Sequence, residues 1–497
     1  MNSAQPVKVV AASLTNNIPF QPHNYERLLL VLFLISLPLL NPWVRGDGVG
    51  YYAYARAPLI EHNLDFTHDY QFANESFREA RLDENGLPRV EFRTETGHLD
   101  NHFTVGPALL WSPFLLVAHG GVLLARSLGS AVLADGFSAP YRYAMALGTA
   151  ICGFLGLLFS FKLAAQYVDA LWAFLATLTF WGGSSLPVYI YFNPSWSHAH
   201  SAFTVALFLW YWERTRAPRT MRQWAVLGLI TALMLNVYYA NLMVVTVLLV
   251  EALWQYSDKL RGASTTGEKL ASLLARHLVF GAIVCVGLLP TFISRAIVYG
   301  GPLKTGYVSL RDFLWNSPVL FSVLFSSNHG LFSWTPVLLL ALPGLVLFAR
   351  RLPRVGIPLA VATVSFYLFF SVYPDWAGIS SFGNRFFLSL TAIFILGLAV
   401  SLECFAAHIA SRQRAIAIST AVLGCFVLWN IGLMYQWGTH LIPARGPISF
   451  SQAAYNQVHV VPQQISSQLR NYLFRRSDLM KQIEQKDIEQ LKQREEQ

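Results

Sequence analysis

An aspartate stands at the outer end of the first apolar run, in the stretch N-P-W-V-R-G-D-G-V-G-Y-Y that covers residues 41–52. An ionised carboxylate at that depth needs a reason, because burying a charge without a partner is costly. We interpret Asp47 as a general base that takes the proton from an acceptor hydroxyl, with Tyr51 one helical turn along and Tyr52 beside it. The alternative is that Asp47 only caps the helix that follows. The glycines around it permit close backbone approach but are poor first-turn residues, which favours the first interpretation.

Three cations on the same predicted side are candidates for binding a phosphate: Arg385, Lys304 and Arg295. A guanidinium binds phosphate through two parallel hydrogen bonds, whereas an ammonium binds it as a point charge. Arg385 is the first choice, since F-G-N at 382–384 predicts a turn and the next apolar helix begins behind it. The alternative role for Arg385 is an interfacial anchor that snorkels from a helix end.

Other polar residues near the predicted outer surface are secondary candidates. Asp375 belongs to Y-P-D-W at 373–376, where an aspartate often closes an Asx-turn and a tryptophan belongs to the aromatic belt. His102 leads from an acidic loop back into an apolar run and could line an acceptor cleft, with an interfacial histidine as the alternative. His198 and His200 are two residues apart and would not share a helical face, so they do not predict a metal pair.

The composition excludes a soluble enzyme. Of 497 residues, 54% are hydrophobic and 13% are charged, with a mean hydropathy of +0.42, whereas soluble domains carry about 25% charged residues. The net charge of +9 is assigned to loops kept in the cytoplasm and does not indicate nucleic acid. The four cysteines lie inside apolar stretches without metal-ligand spacing, so neither a disulfide framework nor structural zinc is expected.

The apolar runs predict an all-α polytopic membrane protein. About a dozen stretches approach the roughly 20 apolar residues of a span, which predicts a bundle of about 11–13 transmembrane helices over 28–436. Residues 1–27 are expected to be cytoplasmic, with the first run retained as an anchor. Basic segments such as 213–222 and 350–354 mark the cytoplasmic side.

One position conflicts with strict alternation of the spans. Lys162 has the character of a cytoplasmic residue, yet counting from an inside N-terminus places it outside. A helical hairpin over 104–134 that turns at H-G-G, residues 119–121, would remove the conflict.

The segments outside the spans are unequal. The outer loop at 42–103 holds 11 of the 27 acids and is predicted to be a folded cap, with an interfacial amphipathic helix over 51–64 and a hairpin over 81–95. A second outer loop covers 300–330. The tail at 437–497 is polar, and its charged end is interpreted as a solvated helix or an interaction tail.

The order of these features resembles the GT-C superfamily of membrane glycosyltransferases, in the protein-mannosyltransferase and lipid A aminoarabinose transferase branches. The resemblance implies a GT-C-like bundle, a polyprenyl-phosphate-linked sugar donor, inversion at the anomeric carbon, and an essential acid in the first outer loop, which corresponds to Asp47. Many such enzymes have a second acid directly beside the first. Here glycines flank Asp47, so a second carboxylate would come from Glu61, Asp65 or elsewhere, and the use of a divalent metal stays open. The motifs that carry the resemblance lie at 46–52, 101–114, 193–200, 330–336 and 375–385.

The sequence therefore predicts a glycosyltransferase of the bacterial inner membrane that acts on its periplasmic face. Asp47 would deprotonate a hydroxyl of a glycolipid, polysaccharide or protein acceptor, while Arg385 and Lys304 hold the departing lipid phosphate. Tyr51, Tyr52, Glu61, His102 and Asp375 are the further predicted substrate-binding residues; no cofactor and no nucleic acid are expected.

Two alternatives belong to other classes of protein. A secondary transporter or lipid flippase would show paired repeats and charged residues at mid-membrane depth, whereas the ionisable residues here crowd the outer surface. A non-catalytic scaffold for envelope assembly would tolerate Asp47→Asn without consequence.

Overall fold

The computed structural model describes residues 21–216, 218–261 and 270–495. Within these ranges the protein is helical, and the only β pairing consists of two isolated bridges, Leu82 with Pro88 and Arg93 with Leu99. The all-α prediction is confirmed. Most of the predicted cytoplasmic N-terminus lies outside the described residues.

The α-helices are numbered in chain order. The helices up to the end of the α9–α10 pair are α1 (Pro22–Ser36), α2 (Asp47–Arg56), α3 (Thr67–Gln71), α4 (Glu75–Arg78), α5 (Gly106–Ser127), α6 (Ala139–Ala164), α7 (Ala170–Gly183), α8 (His198–Arg214), α9 (Met221–Val237) and α10 (Thr246–Leu260). The remaining helices are α11 (Leu270–Gly287), α12 (Leu289–Tyr299), α13 (Leu320–Phe325), α14 (Leu331–Trp334), α15 (Ala341–Arg351), α16 (Pro353–Val372), α17 (Thr391–Ala407), α18 (Arg412–Gly438), α19 (Phe450–His459), α20 (Val461–Phe474) and α21 (Arg476–Glu495).

Several of these helices can cross a membrane. Counting the short 3₁₀ turns that extend α10 and α17, seven helical segments of the described chain are long and apolar enough, and α7 and α9 are shorter apolar helices. The count is lower than the predicted 11–13 mainly because α1, α7, α8 and α9 contain only 14–17 residues each. Proline also divides two of the predicted spans. The run at 277–299 breaks before Pro290 into α11 and α12, and the run at 331–349 breaks before Pro336 into α14 and α15.

The orientation of α6 resolves the conflict at Lys162. Its ammonium lies 3.2 Å from the carboxylate of Glu26 in α1, so Lys162 lies at the same end of the bundle as the start of the first helix, the end predicted to be cytoplasmic. The predicted hairpin at 104–134 is wrong, because α5 continues through 119–121 without a turn. Instead, the connector after α5 lies against the first loop, where Tyr52 donates a hydrogen bond to the Gly136 oxygen. The chain therefore enters α6 on the side of that loop.

The first loop is folded, but its leading helix does not lie at an interface. In α2 every residue from Gly48 to Arg56 is buried. The predicted amphipathic helix over 51–64 is wrong because the glycines let α2 enter the helical body. A Cβ atom at Gly48 would lie 1.9 Å from the Ser195 hydroxyl oxygen, and one at Gly50 would lie 2.0 Å from the Phe103 ring.

The rest of the loop and the tail complete the outer side. The predicted hairpin over 81–95 is present as the Leu82–Pro88 bridge around Gly86, which has a φ of +73°. The tail helices α20 and α21 return to the outer end of α1: Tyr472 donates a hydrogen bond to the Leu39 oxygen over 2.8 Å.

Candidate active site

Asp47 is the first residue of α2, and its carboxylate pairs with Arg385. The distance between the Arg385 Nη2 and Asp47 Oδ2 atoms is 2.9 Å. The N-cap of α2 is Gly46, with a φ of +53°, and no side chain caps this helix. Asp47 thus does not act as the helix cap. Its side chain is 30% exposed and that of Arg385 is 9% exposed, so the carboxylate is partly open to solvent while the guanidinium is buried.

Arg385 begins a 3₁₀ turn, Arg385–Leu390, that leads into α17. The turn that precedes it uses Gly383, whose φ is +59° and whose oxygen accepts a hydrogen bond from the Arg385 backbone N–H. The guanidinium lies over the Trp196 ring, 4.3 Å from its centre. Its Nε and Nη1 atoms are buried without a hydrogen-bond partner. Buried donors are normally satisfied, so two open donors on one cation indicate a site for an anion.

Buried acceptors without partners lie in the same region. Asn384 donates through Nδ2 to the Trp376 oxygen over 3.3 Å, while its Oδ1 atom has no partner. His329 contacts the Ala377 oxygen through Nδ1 over 2.8 Å, which makes Nδ1 the protonated nitrogen and the unpartnered Nε2 an acceptor. Burial lowers the pKa of His329 to about 4, so this imidazole is neutral at neutral pH. The two acceptors suit the hydroxyl groups of a sugar.

Aromatic rings enclose the pair. His198 is buried with Nδ1 unpartnered, and its ring meets that of Tyr189 edge-on at 4.8 Å. Tyr51 is buried one turn after Asp47, and its hydroxyl accepts a hydrogen bond from Ser197 over 2.9 Å. Burial and the charge of Asp47 raise the pKa of Tyr51, which keeps the phenol neutral.

Sequence reasoning missed three residues of this site. It did not assign Trp196, Asn384 or His329 a role, although the first two lie inside the motifs at 193–200 and 375–385. His329 directly precedes the motif at 330–336. A single sequence gives no signal that these three loops meet at one arginine.

Two predicted residues of the first loop are not brought to Asp47. Tyr52 packs against the Trp111 ring and donates a hydrogen bond to the Gly136 oxygen in the connector between α5 and α6. Glu61 binds Arg56 over 2.8 Å and His68 over 2.6 Å, at the opposite end of α2.

The other candidate for a second carboxylate is also occupied elsewhere, because Asp65 accepts a hydrogen bond from the Thr67 backbone N–H over 3.0 Å. Neither Glu61 nor Asp65 stands beside Asp47. Across 21–216, 218–261 and 270–495, no group of three His, Cys, Asp or Glu side chains is placed to hold a metal ion.

The remaining candidates are Lys304 and Asp375 of the later segments and His102 at the end of the first loop. Lys304 binds Glu95 over 2.5 Å, and both side chains are exposed. Asp375 is exposed, and its backbone oxygen closes a turn with the Gly378 N–H. His102 stacks on the Phe103 ring at 4.3 Å, and Phe103 in turn contacts Tyr51 at 4.9 Å. The Phe103 ring therefore lies between His102 and Tyr51.

An apolar groove of about 620 Å³ runs along α18. Its rim residue Pro336 follows Trp334 by two positions, and the Trp334 ring meets that of Phe382 edge-on at 5.4 Å. One layer of aromatic rings thus separates the groove from the turn that carries Arg385. The groove is lined by Pro336, Val422, Cys425, Phe426 and Trp429.

Comparison with known proteins gives a similarity of fold. No family model and no curated protein matches the chain. Among solved structures, the chain is similar to ArnT from Cupriavidus metallidurans, in a crystal structure of the apo state. The two chains share 13% sequence identity with a TM-score of 0.47, over 88% of this chain and 74% of that chain. This similarity concerns the fold alone.

Proposed function

We propose that the protein is an integral-membrane glycosyltransferase that moves a sugar from a polyprenyl-phosphate donor to a hydroxyl of an envelope acceptor, on the periplasmic face of a bacterial inner membrane. One observation carries the proposal: a partly exposed carboxylate touches a buried guanidinium that keeps two donors unpaired. A transfer from a lipid phosphate requires a base and a phosphate-binding cation at one site.

The phosphate of the donor binds one edge of the Arg385 guanidinium, through Nη2 together with either Nε or Nη1, and displaces Asp47 from Nη2. The acceptor oxygen attacks the anomeric carbon, its proton passes to Asp47, and the bond from that carbon to the phosphate oxygen breaks. The leaving phosphate is already a stable anion at neutral pH, so charge neutralisation by Arg385 suffices without a general acid. The sugar hydroxyls donate to Asn384 Oδ1 and His329 Nε2, and its apolar faces lie on the surrounding rings.

The isoprenoid tail occupies the apolar groove along α18. This groove is lined by apolar side chains and Cys425, and its rim lies one aromatic layer from the turn that holds Arg385. Burial of the tail in the groove contributes binding energy roughly in proportion to the apolar area covered.

The test is transfer of label from a defined donor. Purified protein in nanodiscs is incubated with a panel of radiolabelled polyprenyl-phosphate sugars and envelope extract, comparing wild type with Asp47→Asn. We expect donor-dependent label transfer by wild type, reduced by about two to four orders of magnitude in Asp47→Asn, the range for loss of a general base. Asp312→Asn is the matched control, since this exposed acid lies in a turn of the second outer loop and has no role in the proposed site.

Two outcomes contradict the proposal. Equal transfer by wild type and Asp47→Asn would remove Asp47 as the base. The absence of transfer from every donor, together with movement of labelled donor across the membrane of proteoliposomes, would favour the lipid flippase instead.

A further inference from the structure

One face of the C-terminal helix lies on the segment that precedes Asp47. Met480, Glu484 and Asp487 are spaced four and three residues apart, which places them on one side of α21. Asn41 contacts the Met480 sulfur over 3.2 Å. Asp487 binds Arg45 in the same segment. The tail helix is thus not a solvated appendage, because its partner is the chain itself.

A first line of contacts leads from Asp487 to Arg385. The Arg45 backbone oxygen accepts a hydrogen bond from Trp196 Nε1 over 3.0 Å, and the Trp196 ring lies against the Arg385 guanidinium at 4.3 Å. Asp487 therefore holds the residue whose oxygen fixes the ring under Arg385. His440 contacts the second oxygen of Asp487 over 2.8 Å, so both oxygens are engaged.

A second line leads from Glu484 to Asp47. Asn74 donates to Glu484 over 3.2 Å, and its Oδ1 atom accepts a hydrogen bond from the Gly46 backbone N–H over 2.9 Å. Gly46 has a φ of +53° and directly precedes Asp47. The amide that holds this backbone turn is therefore oriented by the tail.

The ion pair of Asp487 differs from an ordinary surface pair. The side chains of Arg45 and Asp487 are only 20% and 17% exposed, whereas exposed pairs contribute little because water and salt screen them. Burial opposes ionisation of Asp487, but the hydrogen bond from His440 and the charge of Arg45 hold its pKa below the usual value. Asp487 is ionised at neutral pH and is engaged on both sides.

We propose that Asp487 and Glu484 are positioning residues of the active site, which α21 carries onto the first outer loop to fix Trp196 and Gly46 and, through them, Arg385 and Asp47. This inference rests on the proposed glycosyl transfer. A tail that holds both ends of the catalytic ion pair sets the distance between base and phosphate, and small displacements of such groups have large effects on rate.

The kinetic test uses Asp487→Asn, Asp487→Glu and Glu484→Gln in full-length protein. We expect Asp487→Asn to lower kcat for label transfer about 10- to 100-fold, with the KM for the donor changed less than about threefold, because the phosphate-binding arginine is still present. Asp487→Glu restores most of the rate, since it keeps the charge. Glu489→Gln is the matched control, with the same loss of charge at an exposed position of the same helix.

The placement of α21 is tested without activity. In protein lacking Cys285, Cys404 and Cys425, the pair Asn41→Cys and Met480→Cys should be joined by a short bifunctional thiol reagent, because the two native side chains are in contact. The pair Asn41→Cys and Glu489→Cys should not be joined. Absence of the first cross-link overturns the inference whatever the activity.

The outcomes separate the inference from the proposed function. If wild type transfers label and Asp487→Asn matches Glu489→Gln, the positioning role is wrong and the glycosyl transfer stands. If wild type transfers no label from any donor, both are wrong, even if the cross-link forms. Should Asp487→Asn fail to fold, Glu484→Gln decides the same question through the second line of contacts.

Discussion

Replacing Arg385 by lysine separates the charge of this residue from its geometry. The guanidinium holds Asp47 with one nitrogen and keeps two further donors open, so it can bind the carboxylate in the free protein and a phosphate when the donor is present. An ammonium placed there keeps the charge but not the planar fork, and it loses the stacking on Trp196. Arg385→Lys should therefore fold and yet bind the donor phosphate poorly.

The size of the effect follows from the hydrogen bonds lost. A hydrogen bond to a charged group contributes about 1.5–3 kcal/mol, which corresponds to about 10- to 150-fold when about 1.4 kcal/mol is a factor of ten. We expect kcat/KM for the donor to fall by that factor in Arg385→Lys and further in Arg385→Gln, which also leaves Asp47 without its partner. The KM for the acceptor should change little.

The assay is a titration of the labelled donor at fixed acceptor, with initial rates of label transfer. Arg311→Lys is the control, because Arg311 is an exposed arginine of the second outer loop. The reasoning is refuted if Arg385→Lys keeps kcat/KM for the donor within about threefold of wild type, or if only the acceptor dependence changes.

Two further predictions concern the scaffold and the neutral histidine. Gly48→Ala should lower the melting temperature in nanodiscs, because its Cβ atom would meet the Ser195 hydroxyl oxygen at 1.9 Å and overpacking costs about 1–3 kcal/mol; Gly120→Ala, where nothing lies within 4 Å, should not, and equal melting temperatures would contradict the close packing of α2. His329 has a folded pKa of about 4, below its ordinary value near 6.5. Its contribution to stability is present above pH 6.5 and is lost as the pH falls towards 4. The melting temperature of His329→Asn, a residue that tolerates the φ of +61° at this position, should fall less steeply than that of wild type over that interval; parallel curves would show that His329 does not titrate in this way.

The length of the apolar runs and the position of the charges were sufficient to predict the fold class, because a chain that crosses a membrane forms helices in which all backbone hydrogen bonds are made. They overestimated the number of full-length spans, since α1, α7, α8 and α9 end after 14–17 residues. Proline at 290 and 336 also divides runs that look continuous by hydropathy. The buried position of α2 also escaped prediction. Its glycines allow α2 to pack closely against Ser195 and Phe103. That these two residues are the packing partners depends on the tertiary structure and is not visible in the local sequence.

The site was predictable in part for the same reason. Asp47 and Arg385 were singled out because each is a charge at the end of an apolar run, where charges are costly. Glu61 was also predicted to bind substrate, but in the folded loop it forms an ion pair with Arg56, which also binds Asp69. The sequence alone does not show that these charges neutralise one another. The residues around Arg385 come from three separate loops, and their meeting depends on long-range packing that no local pattern encodes.

The contact between Asp47 and Arg385 bears on the order of events. A guanidinium can bind a phosphate through two parallel hydrogen bonds either from Nε and Nη2 or from Nη1 and Nη2. Both pairs include Nη2, the nitrogen that already binds Asp47. A donor phosphate bound in that way therefore competes with the carboxylate or shares its nitrogen. Inversion, which the resemblance implies, requires the acceptor to attack from the face opposite the phosphate, so the base has to stand away from the leaving group. The donor phosphate would thus release Asp47 from Arg385, and the base becomes available only when there is a leaving group to displace.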